Sequence, residues 1–216
     1  VSPKRHIAPG RFFVLEGLDG AGTTTQCERI AVALRQEGFP VSVTREPSDG
    51  PLGTLIRQAL TGRLSLPGAQ GPLAAETLAL MFAADRTDHL HARIRPALAR
   101  GEIVLSDRYV LSSLAYQSTS LPMAWIEQIN SHADLPDLTL FVQVSPAVAA
   151  RRRATRGGPA ELFEAEELQR RIARQYLAAI RRRSLRERIE RLDGNQQPEE
   201  VTQAALKALE PYLPRR

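Results

Sequence analysis

The sequence predicts a three-layer α/β fold, with a mostly parallel central sheet of about five strands and helices on both faces. Three observations carry this. Short apolar runs alternate with longer helical patterns along the whole chain. Three loops of unusual composition, "GLDGAG", "REP" and "DRY", each follow directly on such a run, and in parallel sheets ligands collect beyond the carboxyl ends of the strands. The run "LTLFVQV" is apolar on both faces, as a strand covered by helices on both sides must be.

The elements follow in order. The apolar run at 12–16 ends in an acid and predicts a buried strand. The glycine loop spans 17–22. A helix is expected over 24–37, with Ile30, Ala33 and Leu34 on one side and Gly38 as its stop. A second strand at 40–44 leads into the loop "REPSDGPLG" and a short helix over 52–60. "TGRLSLPGAQGP" reads as a surface connection. A long helical region over 73–99 is expected to break or bend near Pro96, and Gly101 marks a turn. "EIVLSD" is a third strand, ending in Asp107. Helical segments over 112–118 and 123–131 precede the central strand at 138–144. A helix begins at 146, "TRGGPAE" interrupts it, and an arginine-rich helix runs from 164 to 188. "IERLD" forms an edge strand, and Pro198 suits the start of a closing helix over 199–212.

A chain of 216 residues is expected to form one domain over 1–216, large enough to bury roughly 70% of its unfolded surface. One cysteine, Cys27, excludes an internal disulfide; with no secretory signal, a reducing, cytoplasmic setting is expected. No apolar run approaches the roughly 20 residues that span a membrane. The net charge of +5 invites a nucleic-acid reading. Residues 146–191 hold thirteen arginines against six acids, however, and the rest of the chain is slightly acidic. Charge so confined serves small anions as well as a polymer, and nucleic acid is not the expected partner.

The stretch "EGLDGAGTTTQ" has the outline of a phosphate-binding loop, G-x-x-x-x-G-K-[ST], between a strand and a helix. Gly17, Gly20 and Gly22, with Ala21 between them, expose backbone N–H groups at the positive end of the helix. Thr24 fits the hydroxyl that binds Mg²⁺, with Thr25 following. Thr23 stands where the lysine should be. That lysine normally sets a cation against the transferring phosphates. One neutral oxyanion donor is worth about 3–4 kcal/mol, so losing a cation costs transition-state stabilisation of that order, and binding suffers less because the backbone nest and the metal remain. Another arginine, or less favourably Lys4, would have to replace it.

Further residues have chemistry for an acceptor. Arg45 can clamp a phosphate through two bonds, or serve structurally beside Glu46. Phe82 and Arg86 share a helix face, so a ring can stack on a base while a guanidinium reads a carbonyl oxygen; the alternative is a core ring beside a solvated arginine. Asp85 reads as structural or as an arginine's partner, and His89 and His91 lack a complete metal-ligand set and read as bland. Asp107 and Arg108 close a strand, where an acid can hold Mg²⁺ and an arginine can bridge phosphates. Arg151, Arg152, Arg153 and Arg156 precede the hinge-like Gly157 and Gly158, a lid pattern over 150–165 or a solvated face of a helix hairpin. Tyr176 suits either the core or the site.

The ordered set "EGLDGAGTTTQ", "TREP", "FAADR", "DRYVLSSLAYQ" and "RRRATRGG" resembles the bacterial thymidylate kinases, ATP-dependent dTMP kinases of the P-loop NTPase fold with a helical lid. The resemblance runs from Phe12 to about Leu209. It implies phosphoryl transfer from ATP to dTMP, giving dTDP and ADP, with Mg²⁺. It implies that Arg45 helps hold the dTMP phosphate and that Pro47, after Glu46, is cis. Phe82 would stack on thymine and Arg86 read its O4. Arg108 would contact the acceptor phosphate or the transferred group, with Asp107 on the metal side. Asp19 would lie near the acceptor phosphate and deoxyribose, and Tyr116 against the sugar. Ser113 takes a position where relatives read the thymine ring, though its side chain is short for direct contact, and Gln117 follows. Arg153 and Arg156 of the lid would supply the catalytic charge, and Asn195, with Gln196, would line an adenine pocket. A homodimer through the helices after Leu52 and around 73–90 is implied as well. The chain departs from the pattern at two cationic positions, Thr23 and Leu162. Those departures keep open an alternative, a dTMP- and ATP-binding protein of the same fold with weak or no turnover.

Overall fold

The computed structural model describes residues 9–64, 73–156 and 166–214. Five strands form one parallel sheet: β1 (Arg11–Gly17), β2 (Val41–Arg45), β3 (Ile103–Asp107), β4 (Leu138–Gln143) and β5 (Ile189–Asp193). Their order across the sheet is β2-β3-β1-β4-β5. Every residue of β3 is buried, as are Phe12 through Gly17 of β1, so both faces of the sheet centre are covered. That coverage is why these strands read as continuous apolar runs rather than as alternating ones.

The helices are α1 (Thr23–Gln36), α2 (Pro51–Leu60), α3 (Ala75–His89), α4 (Arg95–Ala99), α5 (Val110–Tyr116), α6 (Met123–Ile129), α7 (Pro146–Arg156), α8 (Glu166–Arg183) and α9 (Pro198–Leu209). The helix α1 buries Cys27, Ile30, Ala31 and Leu34, and Gly38 follows it with φ +82°, the left-handed stop that the sequence predicts. Ala33, expected on the same side, is only half-buried. The N-terminus of α9 is closed by a reciprocal pair of bonds between Gln197 and Glu200, with Pro198 in its first turn.

One expectation is sharpened and one shifts. The break in the 73–99 helix falls before Pro96, as a π-helical turn over Leu90–Ile94. Proline lacks an N–H and crowds the carbonyl four residues back, and that residue, Ala92, lies inside the widened turn. The arginine-rich helix stops at Arg183 rather than 188; just beyond it Glu187 accepts from buried Arg183 at 2.6 Å and from Thr139 of β4 at 2.5 Å, which ties the following turn to the sheet. No helix among the described residues is long and apolar enough to cross a membrane.

The register sets Leu15 beside Asp107, Arg45 beside Asp107, and Gly17 beside Val142. The glycine loop and the loops after β2 and β3 therefore leave the carboxyl ends of three neighbouring strands, side by side.

Candidate active site

The glycine loop is shaped by backbone that other residues resist. Gly20 and Gly22 have φ of +88° and +96°, and a Cβ on Gly20 would sit 2.5 Å from the Ala149 carbonyl oxygen of α7. Gly22 caps α1, so the free N–H groups of its first turn face the loop. Thr23 is buried and brings no charge. Three guanidinium groups reach the loop carbonyls instead. Arg108 donates through Nη1 to Gly17 O at 2.9 Å, Arg153 to Asp19 O at 2.6 Å, and Arg152 to Ala21 O at 3.3 Å. Arg152 also bonds Gly194 O at 2.9 Å. Arg156 closes α7, and its side chain, like Lys4, Glu161, Leu162 and the rest of 157–165, is outside the described residues.

Thr24 and Asp107, paired by the sequence as metal ligands, meet: the Thr24 hydroxyl donates to Asp107 Oδ2. Asp107 Oδ1 is buried with no partner among the described residues. An orphaned carboxylate oxygen beside the free N–H groups of a glycine loop has the chemistry of a hard-cation ligand. No cluster of three or more His, Cys, Asp or Glu suited to a metal occurs among the described residues.

Arg108 sits at the joint between the loop and a second pocket. Its φ of 75° is the one positive value among described non-glycine residues, strain of the kind that clusters at functional sites. Its Nη2 pairs with Asp19 at 2.7 Å, and its guanidinium lies 5.3 Å over the Tyr116 ring. Asp19 also accepts from Gln169 of α8 at 3.0 Å. The conformation of Arg108 is held by Glu16, which accepts from Tyr109 N at 2.9 Å and Ser112 N at 3.1 Å, the start of α5, and from the Ser112 and Tyr176 hydroxyls. Burial pushes the Glu16 carboxyl up to about 7, against the pull of the Ser112 hydroxyl bond and the Arg108 charge. Glu16 opens the glycine motif without a role assigned to it by the sequence, and Tyr176, which suits core or site, joins it here. The one local signal for Glu16 is an acid at the end of an otherwise apolar strand, because a buried carboxylate must be bonded.

The second pocket is a cleft of about 550 Å³, part of it open to solvent. Asp19, Arg108, Ser112 and Tyr116 line one end; Pro47, Leu60 and Phe82 supply apolar wall; Arg86, Ser113 and Gln117 line it as well. Arg86 is buried. It bonds Glu46 through Nε at 2.9 Å, Tyr109 O and Ser113 Oγ through Nη2 at 3.0 Å each, and Asn130 through Nη1. A guanidinium has five N–H groups, so one on Nη1 has no acceptor among the described residues. Gln117 Oε1 is likewise buried and unpaired among them. Ser113, short for direct contact with a base, is an acceptor for Arg86.

The remaining residues that the sequence nominates lie at the rim or behind the pocket wall. Arg45 pairs with Asp49 at 2.8 Å rather than with Glu46, and its side chain is 60% exposed. Glu46 turns inward to Arg86, and the Glu46–Pro47 bond is cis. Asp85 bonds the Ser48 backbone and hydroxyl, at 2.7 and 2.5 Å, and not an arginine. Thr25, Ala21, Gly22, Arg152, Gly194 and Gln196 border a separate hollow of about 510 Å³ next to the loop. Asn195 is turned to Asp193 at 2.7 Å. His89 is not bland: it is buried between Thr44 and Glu46.

Comparison with known proteins agrees with this geometry. Residues 15–205 match the sequence model of the family described as thymidylate kinase. A probable thymidylate kinase of Pyrococcus abyssi is 41% identical over 169 residues, covering 78% of this chain and 82% of the relative. A thymidylate kinase of Thermomicrobium roseum is 42% identical over 200 residues, covering 89% and 91%. One from Alkalilimnicola ehrlichii is 38% identical over 207 residues, covering 93% and 92%. A glycine loop at the N-terminus of a helix, an arginine at its joint with a second pocket, and these matches over most of the chain lead to one conclusion: the chain belongs to the thymidylate kinase family, a family of phosphoryl-transferring enzymes.

Proposed function

We propose that this chain transfers the γ-phosphoryl group of ATP to dTMP, giving dTDP and ADP for dTTP synthesis. The observation that carries the proposal is that two residues lining the acceptor pocket each keep a group unused by the described residues: one N–H of Arg86, and Oε1 of Gln117. One donor and one acceptor suit the O4 and N3–H of thymine, whereas cytosine offers the inverse pattern. Phe82 would stack on the ring and Tyr116 lie against the sugar. Arg108 and Asp19 then fall at the phosphate end, beside the glycine loop, and Arg45 would exchange Asp49 for the dTMP phosphate.

The ATP phosphates would rest on the loop from Gly17 to Thr24, with the adenine in the hollow beside Thr25, Arg152 and Gln196, near Asn195. The Thr24 hydroxyl and the free Asp107 oxygen fit Mg²⁺, which takes few protein oxygens beside phosphates and water and, when bound, neutralises charge on the β- and γ-phosphates. A phosphate oxygen is already nucleophilic, so no protein base is required. The residues act by alignment and by stabilising charge, with Arg108 and the lid arginines Arg153 and Arg156 around the transferred group.

A coupled assay with dTMP and Mg-ATP tests this, and turnover no faster than background rejects it. The second reading, binding with little turnover, is favoured by the uncharged Thr23. Calorimetry showing tight binding of both nucleotides without product would select it. We further propose one domain with a lid over 150–165, and a homodimer through α2 and α3, where Leu55 and Leu80 are 40% and 51% exposed. A monomer in light scattering rejects the dimer.

A further inference from the structure

We infer that His89 is a positioning residue for base recognition: it holds Glu46, Glu46 holds Arg86, and the pyrimidine-reading guanidinium is thereby set from the edge strand β2. The inference rests on the proposed role of Arg86, and the experiment below separates the two.

Three polar residues of α3, Asp85, Arg86 and His89, are buried, and all three bond to residues between 44 and 48. Polar groups are buried at a cost unless each is bonded, so this stripe acts as a ruler between α3 and the end of β2. His89 Nε2 lies 2.6 Å from Thr44 Oγ1, and Nδ1 lies 3.3 Å from Glu46 Oε1. A bare Nδ1 lone pair facing a carboxylate oxygen is repulsive, so the proton belongs on Nδ1, where it donates to Glu46. The Thr44 hydroxyl at Nε2 can then donate to the bare ring nitrogen.

Both contacts from Arg86 to Glu46, through Nε at 2.9 Å and Nη2 at 2.6 Å, fall on the same oxygen, Oε2. This is not the fork in which two oxygens lock each other in plane. The terminal torsion of glutamate is broad, so Arg86 alone leaves the carboxylate free to turn. His89 takes the other oxygen and fixes the plane. That in turn settles which N–H groups of Arg86 are spent on protein and which is left for the base. The π turn begins immediately after His89, and such turns often mark functional positions within helices.

The test is steady-state kinetics of the full chain with dTMP and ATP varied in turn. His89→Leu should raise KM for dTMP about tenfold, the loss of one charge-assisted bond, with kcat and KM for ATP moved less than about threefold. His89→Asn, which keeps an N–H donor where Nδ1 stood, should restore KM to within about threefold of the parent. His89→Gln, whose amide reaches the Nε2 position instead, should not. If His89→Leu fails to fold, the Asn and Gln pair carries the comparison, and equal KM values for those two overturn the inference. Arg86→Lys tests the underlying role. If it leaves the dTMP KM unchanged, the reading of Arg86 fails. If it raises KM while His89→Leu does not, that reading stands and the positioning inference falls. In the Arg86→Lys background, His89→Leu should add less than about twofold, because the two act through one chain of bonds.

Discussion

Arg153 of α7 donates through Nη1 to the Asp19 carbonyl oxygen at 2.6 Å, so a guanidinium rests on the glycine loop whose own cation position holds Thr23. Arg152, one residue earlier, bonds the loop at Ala21. The loop without a lysine is therefore not without cations. Arg153→Ala should lower kcat about a hundredfold, the size of one lost transition-state donor, with KM for dTMP changed less than about threefold. Thr23→Lys alone should gain less than about tenfold in kcat, because the charge is already supplied. In the Arg153→Ala background the same lysine should recover more. A gain above tenfold in the parent would mean that the native loop is short of charge.

Glu16 predicts a pH dependence of stability. Burial raises its carboxyl from 4.5 to about 7, so the folded protein keeps a proton that the unfolded chain loses within that window. Its contribution is fully present below pH 4.5, declines between 4.5 and 7, and is lost above 7, by on the order of 3 kcal/mol. Glu16→Gln removes the ionisation and keeps an acceptor for the Tyr109 and Ser112 N–H groups. The variant's stability relative to the parent should rise across the window and level off above it, as read from urea midpoints. A difference independent of pH would contradict the assignment.

Gln117 is expected to select the base. Gln117→Leu removes the unpaired acceptor, and it should raise KM for dTMP about tenfold while narrowing the margin over dCMP. Competition between the two nucleotides measures that margin. An unchanged ratio would place Gln117 outside base recognition.

Thr24→Val and Asp107→Asn should each raise the Mg²⁺ concentration for half-maximal activity about 10- to 100-fold. Magnesium titration at saturating ATP gives the answer. An unshifted midpoint for both variants would move the cation away from this pair.

Much of the site is legible without coordinates, because it is carried by loops at strand ends. The predicted strand ending at Asp107 and the one ending near Arg45 are adjacent in the sheet, and Asp107 and Thr24, which the sequence nominates together, lie within one hydrogen bond of each other. Partner choice is not legible. Arg45 has Glu46 next to it and Asp49 four residues on; it takes Asp49, because Glu46 is drawn into the interior by Arg86, 40 positions away. His89 reads as bland for the same reason: its neighbours in sequence say nothing of Thr44 and Glu46.

By itself, the sequence determined the alternation of strands and helices, the glycine loop and the order of the motifs. Those features depend on periods of two and 3.6 residues and on local turn chemistry, which act between near neighbours. Tertiary structure alone decided which buried charges pair, that Glu16 holds the backbone of Arg108, and that arginines of α7 settle on the loop carbonyls beside Thr23. Several acids and carbonyls are chemically equivalent partners for any arginine. Only the tertiary arrangement, with α3 bonded to the end of β2 and α7 set over the glycine loop, makes one of them near, dry and correctly aimed.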